Sequence, residues 1–495
     1  MVNDRILNYR IVVFCTITLL LGVFVGALIL DSLFLTIIIP AVYLTVGIIV
    51  YIVKKKHTVW ILALCFAIGI ASINIDNVIN FSGEIIGEHD FSARVAQCES
   101  KGKVVLEDII VDDKEIKGKA IFYETGLEIG NEIVAYGNFE TIPIDVFDTY
   151  SGAYKSESIN YLIKYGDTVY VEEGEINFFE KLKKKITDGI DVYTVEADAG
   201  IIESLLFGDK FHLTEEDDEL IKNAGLAHVF AISGLHIGFL AGIIFWLLKK
   251  IGINNAFSLV ITVIVLLGYG VVTGFPAGVK RAIVMLIVAT IAKIIKTVND
   301  GLTSLSVATG LIVLTNPFEL FDVSLIMSVC AVLGIIVFYQ PLYSLFSKVS
   351  SNKIYQYAIK LLVTTITANV FLLPITSNVF NTVNVLSPLG NLLILPIITV
   401  LFVFLAPVAI LTAIYSGCSV CFYIAKYPLI IIRAISKLIY LIPYSTIETL
   451  GMGIGTAFYL LAFFLLSRYI KIPNKVKVPV SISSFCAYVL CVIFI

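Results

Sequence analysis

Three side chains within nine residues, His228, Ser233 and His236, are the ones whose types and spacing suggest chemistry. They lie in the stretch GLAHVFAISGLHIGFLAG, residues 225–242, where a polar, acidic region gives way to a long series of apolar segments. The chain has five histidines, and two of them fall where apolar side chains cost least. On a helix Ser233 and His236 share a face, with His228 roughly 80° round at about 100° per residue. Imidazoles in such a place either hydrogen-bond to neighbouring helices or line a hydrated path through the bundle. An intramembrane metalloenzyme fits poorly, because two histidines eight apart with no third ligand nearby do not complete a zinc centre. Nor is there a Walker A loop or an H-x-H-x-D-H motif, so neither ATP hydrolysis nor a hydrolytic metal centre is expected. The expectation is a chain that is not an enzyme and needs no metal or cofactor.

Two basic groups stand out in the apolar half. Lys280 and Arg281 follow the turn TGFPAG at the start of an apolar run. They either snorkel to headgroups or pair with Glu319 or Asp322, or they form a cationic entrance for a phosphate backbone. Lys426, Arg433 and Lys437 fall within about 40° of one another on a helix, a stripe roughly 16 Å long. Three cations do not face lipid, so this helix either lies in the interface or spans with its stripe towards a wet interior. Pro428 is in a position to break it. The run 386–416 carries Pro388, Gly390, Pro396 and Pro407. It is either a helix broken at Asn391 to Pro396 beside a cavity or one kinked helix. Cys418 and Cys421 form a C-x-x-C with no second ligand pair, so ordinary packing explains them best.

These residues need a membrane to position them. Hydrophobic side chains make up 58% of the 495 residues and charged ones only 15%, with mean hydropathy +0.93, which is the composition of a polytopic α-helical membrane protein. Runs at 11–30, 33–53 and 59–76 are each long enough to cross about 30 Å of hydrocarbon. Further spans are expected near 228–248, 256–275, 279–297, 302–316, 323–341, 358–377, 386–416, 418–441, 452–467 and 478–495, giving about 12–13 transmembrane helices. By the positive-inside rule Lys54, Lys55 and Lys56 keep the N-terminus cytoplasmic and send residues 77–222 outside. The C-terminus then falls outside, unless 418–441 does not span.

Charge divides along the same lines. Residues 77–222 hold 32 acidic and 14 basic side chains, whereas the rest of the chain holds 7 and 21. Period-two stretches such as FSARVAQC, KVVLEDIIV, KGKAIFY and NEIVAYGNFETI read as strands of a small β-rich domain over 77–180. Its acidity argues against direct capture of a polyanion, and its tyrosines are expected chiefly as sheet packing. Residues 181–226 read as amphipathic helices, with KLKKK and EEDDE as solvated faces. A channel-like membrane domain is expected over 227–495, following the N-terminal helices of 1–76.

The stretch AHVFAISGLHIG closely resembles the HLLAISGLHV-type signature of the ComEC competence family, polytopic proteins of the DNA uptake machinery. LLFGDK at 205–210, TGFPAGVKRAIVML at 273–286, NPFELFDVSLIMSVCAVLGI at 316–335 and LSPLGNLLILPI at 386–397 match in the family's order. The resemblance implies an OB-like fold for 77–180 and helices at the outer membrane surface for 181–226. It also implies passage of single-stranded DNA through the cell membrane in natural transformation. The cargo would be single-stranded DNA, with membrane lipid around the channel and other competence proteins as partners: a DNA receptor, a separate nuclease and a cytoplasmic helicase-like ATPase. Many members carry a metallo-β-lactamase-like domain after the last span, and this sequence reads as a form without it. His228, Ser233, His236, Lys280, Arg281, Lys426, Arg433 and Lys437 are then the residues expected on the DNA path or its gate. The competing reading is a secondary transporter or exporter of a smaller anion, although no hydropathy repeat marks two halves.

Overall fold

The computed structural model describes residues 11–30, 32–54, 57–98, 102–144, 149–174, 176–208, 213–223, 225, 234–294, 301–346, 352–380, 382–384, 386–442, 446–448, 480 and 483–484. The three N-terminal apolar runs fold as helices α1 (Ile11–Leu28), α2 (Leu33–Lys54) and α3 (His57–Asn80). The backbones of α1 and α3 touch where they cross. A side chain at Gly22 would collide with the Phe66 carbonyl, and one at Gly69 with the Leu19 carbonyl, so only glycine fits.

After α3 the hydrophobic period changes from helical to two, and a closed barrel follows. Its strands are β1 (Gly87–Cys98), β2 (Lys103–Val111), β3 (Lys114–Glu115), β4 (Lys119–Tyr123), β5 (Asn131–Thr141) and β6 (Ile159–Glu173), with helix α4 (Thr149–Ser156) between β5 and β6. The order β1-β5-β6-β4-β2 closes through a β1–β2 pairing, and β3 is a short edge on β2. Only β4 and β6 run parallel. This is an OB-like barrel. Its interior is aromatic: Phe91 meets Phe122 and Phe139 edge-on at 5.8 and 5.3 Å between centroids, and Tyr161 closes the cluster against Phe139 at 6.4 Å. Such edge-to-face pairs add about 0.5–1.5 kcal/mol each beyond their buried area.

Three helices lead from the barrel to the membrane part: α5 (Phe178–Tyr193), α6 (Glu196–Phe207) and α7 (Glu215–Asn223). Asn177 caps α5, accepting from the Phe179 and Glu180 backbone N–H groups at 3.0 and 2.9 Å, while Glu180 returns a bond to the Asn177 N–H at 2.8 Å. The same Glu180 accepts from Arg94 of β1 at 2.9 Å, and Arg94 also bonds Glu107 of β2 at 2.6 Å. One capping residue therefore starts the helix and ties it to the barrel. α5 and α7 are amphipathic as expected. α6 is not: Asp198 to Phe207 are all buried, so it is an interior helix and not a helix lying on a surface.

The helical part continues as α8 (Gly234–Lys250), α9 (Asn255–Val272), α10 (Ala277–Ile294), α11 (Gly301–Thr315), a 3-10 turn at Pro317–Phe321, α12 (Val323–Phe346), α13 (Lys353–Val379), α14 (Ser387–Ile414), a 3-10 helix at Ser416–Ala425 and α15 (Lys426–Tyr440). A short antiparallel pair joins β7 (Thr382–Asn384) to β8 (Thr446–Glu448). Among the described residues, eight helices are long and apolar enough to cross a membrane. The expected spans 452–467 and 478–495 lie outside the described residues apart from Val480, Ser483 and Ser484. α14 is a single helix through Pro396 and Pro407, so the expected break at Asn391 to Pro396 is corrected to a continuous helix. Proline inside a helix removes one backbone bond, and neighbouring helices make up for it. The barrel seats on this part through α4, where Gly152 sits against the Phe321 carbonyl and Asn316 Nδ2 donates to the Ser156 carbonyl at 2.6 Å.

Candidate functional site

The largest buried core of the molecule brings together α5, α6, α7, α8, α9, α10, α14 and α15, and polar groups are set inside it. On α6 these are Asp198, Glu203 and Ser204, on α7 Asp217, on α8 His236, on α14 Asn391 and Thr412, and on α15 Ser436. Burying so much polarity among apolar helices is costly unless each group is paired or wetted.

Asp198 and Asp217 are paired with one arginine. Arg433 of α15 donates from Nε and Nη2 to the two oxygens of Asp217, at 2.8 and 2.9 Å, a bidentate fork. Its Nη1 donates to Asp198 Oδ1. Asp198 and Asp217 each occupy the third position of their helix, after Val195 and Thr214 respectively. At that position a carboxylate faces the positive end of the helix dipole. Thr214 Oγ1 accepts from the Asp217 N–H at 3.2 Å. One guanidinium thus holds the starts of two helices against the middle of a third. The triad carries a formal charge of -1.

This revises the basic stripe. Arg433 faces the two aspartates and is not a free cation, whereas Lys426 and Lys437 are exposed, with Lys426 Nζ lying 5.9 Å from the Tyr423 ring centroid. Pro428 does not break α15. The other basic group is also engaged: Lys280 Nζ meets Glu319 Oε1 at 2.6 Å, and Arg281 Nη1 donates to Ser324 Oγ at 3.3 Å. The Glu319 side chain is 2% exposed and that of Lys280 35%, so the pair joins a buried acid to a cation at the rim.

His236 is buried and stacks at a tilt on Phe402 of α14, 4.7 Å between centroids. His228 and Ser233 lie outside the described residues, so the three are not brought together here. Asn391 Oδ1, Thr412 Oγ1 and Ser436 Oγ are buried and make no hydrogen bond among the described residues. Asn391 and Thr412 are 21 residues apart on α14, which is about 31 Å along a helix. Pro396 is half-buried on the same helix. Among the described residues no group of three or more His, Cys, Asp or Glu side chains is placed to hold a metal ion.

Sequence reasoning missed Asp198, Asp217 and Phe402 as partners, whereas the Lys280–Glu319 pair is one of the readings the sequence offered. The acids left one local signal, their place in the first turn of a helix, but nothing local points to an arginine 216 or 235 residues away.

A family model described as "Competence protein" matches residues 205–471. The chain is similar to ComE operon protein 3 of Bacillus subtilis, 29% identical over 123 residues, covering 25% of this chain and 16% of that protein. It is also similar to Recombination protein 2 of Haemophilus influenzae, 28% identical over 170 residues, covering 32% of this chain and 21% of that protein. The matched stretches thus span less than a quarter of the length of either curated relative. No solved structure matches.

Proposed function

The chain belongs to the competence protein family, whose model matches more than half of its length, and from that premise we propose that it carries single-stranded DNA inward across the cell membrane during natural transformation. The family match over the helical part is the observation that carries this reading. The buried polar atoms of Asn391, Thr412 and Ser436 support it, because polar groups at such depth are expected beside a hydrated path. In this reading His228, Ser233 and His236 belong to the path or its gate, and Lys426 and Lys437 are the cations of the former stripe left to meet phosphate. Lys280 and Arg281 act at the mouth through the balance they strike with Glu319 and Asp322.

The orientation that goes with this function has the N-terminus in the cytoplasm and residues 77–222 outside, on the strength of Lys54 to Lys56. A DNA receptor outside, a separate nuclease and a helicase-like ATPase inside complete the proposed machinery. The acidic barrel then acts as scaffold or docking site and not as the strand's first contact, since phosphate contacts need clustered cations.

The test is a deletion strain complemented with the parent or with His236→Ala, scored separately for DNA bound to the cell and DNA taken in. Normal binding with uptake lost in the deletion and reduced in the variant is expected. Normal uptake in the deletion strain removes the proposal.

A further inference from the structure

The outward side of the barrel at β5 and β6 carries apolar side chains that nothing in its core requires. Val134 and Tyr136 alternate with buried Ile133 and Ala135 and therefore point out. Val134 pairs with Tyr170 of β6, and Tyr136 pairs with Asp167. The register between the strands slips twice, opposite Val134/Ala135 and opposite Gly137/Asn138, leaving Val169 and Tyr165 as the extra residues of two bulges. Bulges re-aim side chains, and these two aim outward, with Val169 76% exposed and Tyr165 91%. Tyr165 has φ 52°, a left-handed conformation that a bulky residue seldom adopts. Tyr170 beside them is 56% exposed.

Charge selects what this face can receive. Glu88 accepts from the Tyr136 hydroxyl. Asp90 is across from Tyr136 on β1, and Glu132 is paired with Glu172 two residues beyond the Val134–Tyr170 pair, on the same face. With Asp167 these exposed carboxylates rim the tyrosines. A phosphate backbone brought here meets like charge. A guanidinium meets both of its preferred partners, an aromatic face to stack on and a carboxylate fork to pair with.

We propose that this β5–β6 face docks the basic, arginine-rich surface of a DNA-binding protein. The identity of that partner rests on the proposed function, because a protein that presents DNA must itself carry a cationic phosphate-binding surface. By engaging that surface the face competes with phosphate for the same cations, so docking loosens the partner's hold on the strand beside the channel.

The experiment uses the full chain in phosphatidylcholine nanodiscs, titrated with fluorescent octa-arginine and separately with labelled oligo-dT. Octa-arginine should bind, and Tyr165→Ser with Tyr170→Ser should weaken it about tenfold, a loss equivalent to about 1.4 kcal/mol. Asp167→Asn with Glu172→Gln should do the same. Glu216→Gln with Glu219→Gln, on the acidic helix α7, should leave it unchanged. Equal octa-arginine binding by the parent and all three variants overturns the proposal, as does no binding at all. Oligo-dT binding that disappears with the tyrosines would make the face a nucleic-acid surface. Self-association of the parent that the tyrosine changes abolish would make the occupant a second copy of this chain. Normal DNA uptake in the deletion strain would remove the proposed function while leaving the peptide result standing.

Discussion

The barrel and the helical part handle charge in opposite ways. In the barrel most ionised groups stay at the surface: Lys164 and Glu140 meet at 2.7 Å with side chains 44% and 47% exposed. In the helical part the corresponding groups are drawn inside, with Asp198, Asp217 and Glu319 buried and each spent on a cation. A tally of charges by sequence segment therefore means different things in the two regions. The excess of acids in 77–222 is partly consumed in the membrane part's core, and the basic excess of the membrane part is partly consumed holding those acids. Among the described residues, the exposed carboxylates of the barrel and lysines such as Lys426 and Lys437 stay at the surface, where a partner can reach them.

If this contrast is right, the largest effect should come from Arg433. Replacing it by glutamine leaves two buried carboxylates facing each other, and losing one side of a buried ionic cluster costs about 3–5 kcal/mol. The Arg433 side chain is 28% exposed, so a value near the lower end is expected. Arg433→Glu should be worse still, because it adds a third carboxylate. Thermal midpoints of purified protein and membrane abundance both report this. A neutral result for both variants would mean that the acids are not confined and that charge in the two regions behaves alike.

Glu319→Gln should rank second. Its partner Lys280 reaches the rim and can turn to water once the acid is gone, so the loss should be about 1–2 kcal/mol. A loss as large as that of Arg433→Gln would place Lys280 deep in the protein and extend the contrast to the mouth of the domain.

Much of the frame behind these predictions is legible in the sequence. Runs such as 11–30 and 59–76 read directly as α1 and α3, and strict alternation gives β1, β2, β4 and β5 within a few residues. β6 escapes because its two bulges shift the alternation at Tyr165 and Val169. α6 misleads because Asp198 and Glu203 look like a solvated face when local sequence is the only guide, and their burial depends on helices more than 180 residues further on. The Arg433 cluster and the His236–Phe402 stack escape for the same reason: long-range pairing leaves no periodic trace.

The exception within the barrel is Lys155 on α4, which is buried, donates to Asn160 Oδ1 at 3.0 Å and lies over the Phe81 ring at 4.9 Å. Burial pulls its ammonium down to about 8 from an ordinary 10.5. Between those values the unfolded chain binds the proton more tightly than the folded one, so stability should rise as pH increases through this window. Thermal midpoints at pH 7.5 and 9 should therefore rise in the parent relative to Lys155→Met, which lacks the titrating group. A fall relative to that variant would mean that an acid stabilises the ammonium, as in the helical part.

The smallest effect should be at Lys164 and Glu140, the pair that represents the barrel's surface. Both side chains are nearly half exposed, so each ion keeps most of its hydration, and the Coulomb gain is offset by the rotamer freedom lost in holding two long side chains together. A double-mutant cycle with Lys164→Ala and Glu140→Ala should give a coupling below about 1 kcal/mol. Salt near 1 M, where the screening length falls to about 3 Å, should reduce it further. The same salt should barely alter the cost of Arg433→Gln, because ions do not reach a buried cluster. A Lys164–Glu140 coupling as strong and as salt-resistant as the Arg433 effect would mean that the barrel's surface charges are fixed as firmly as the buried ones, leaving fewer carboxylates available to a partner on the neighbouring β5–β6 face.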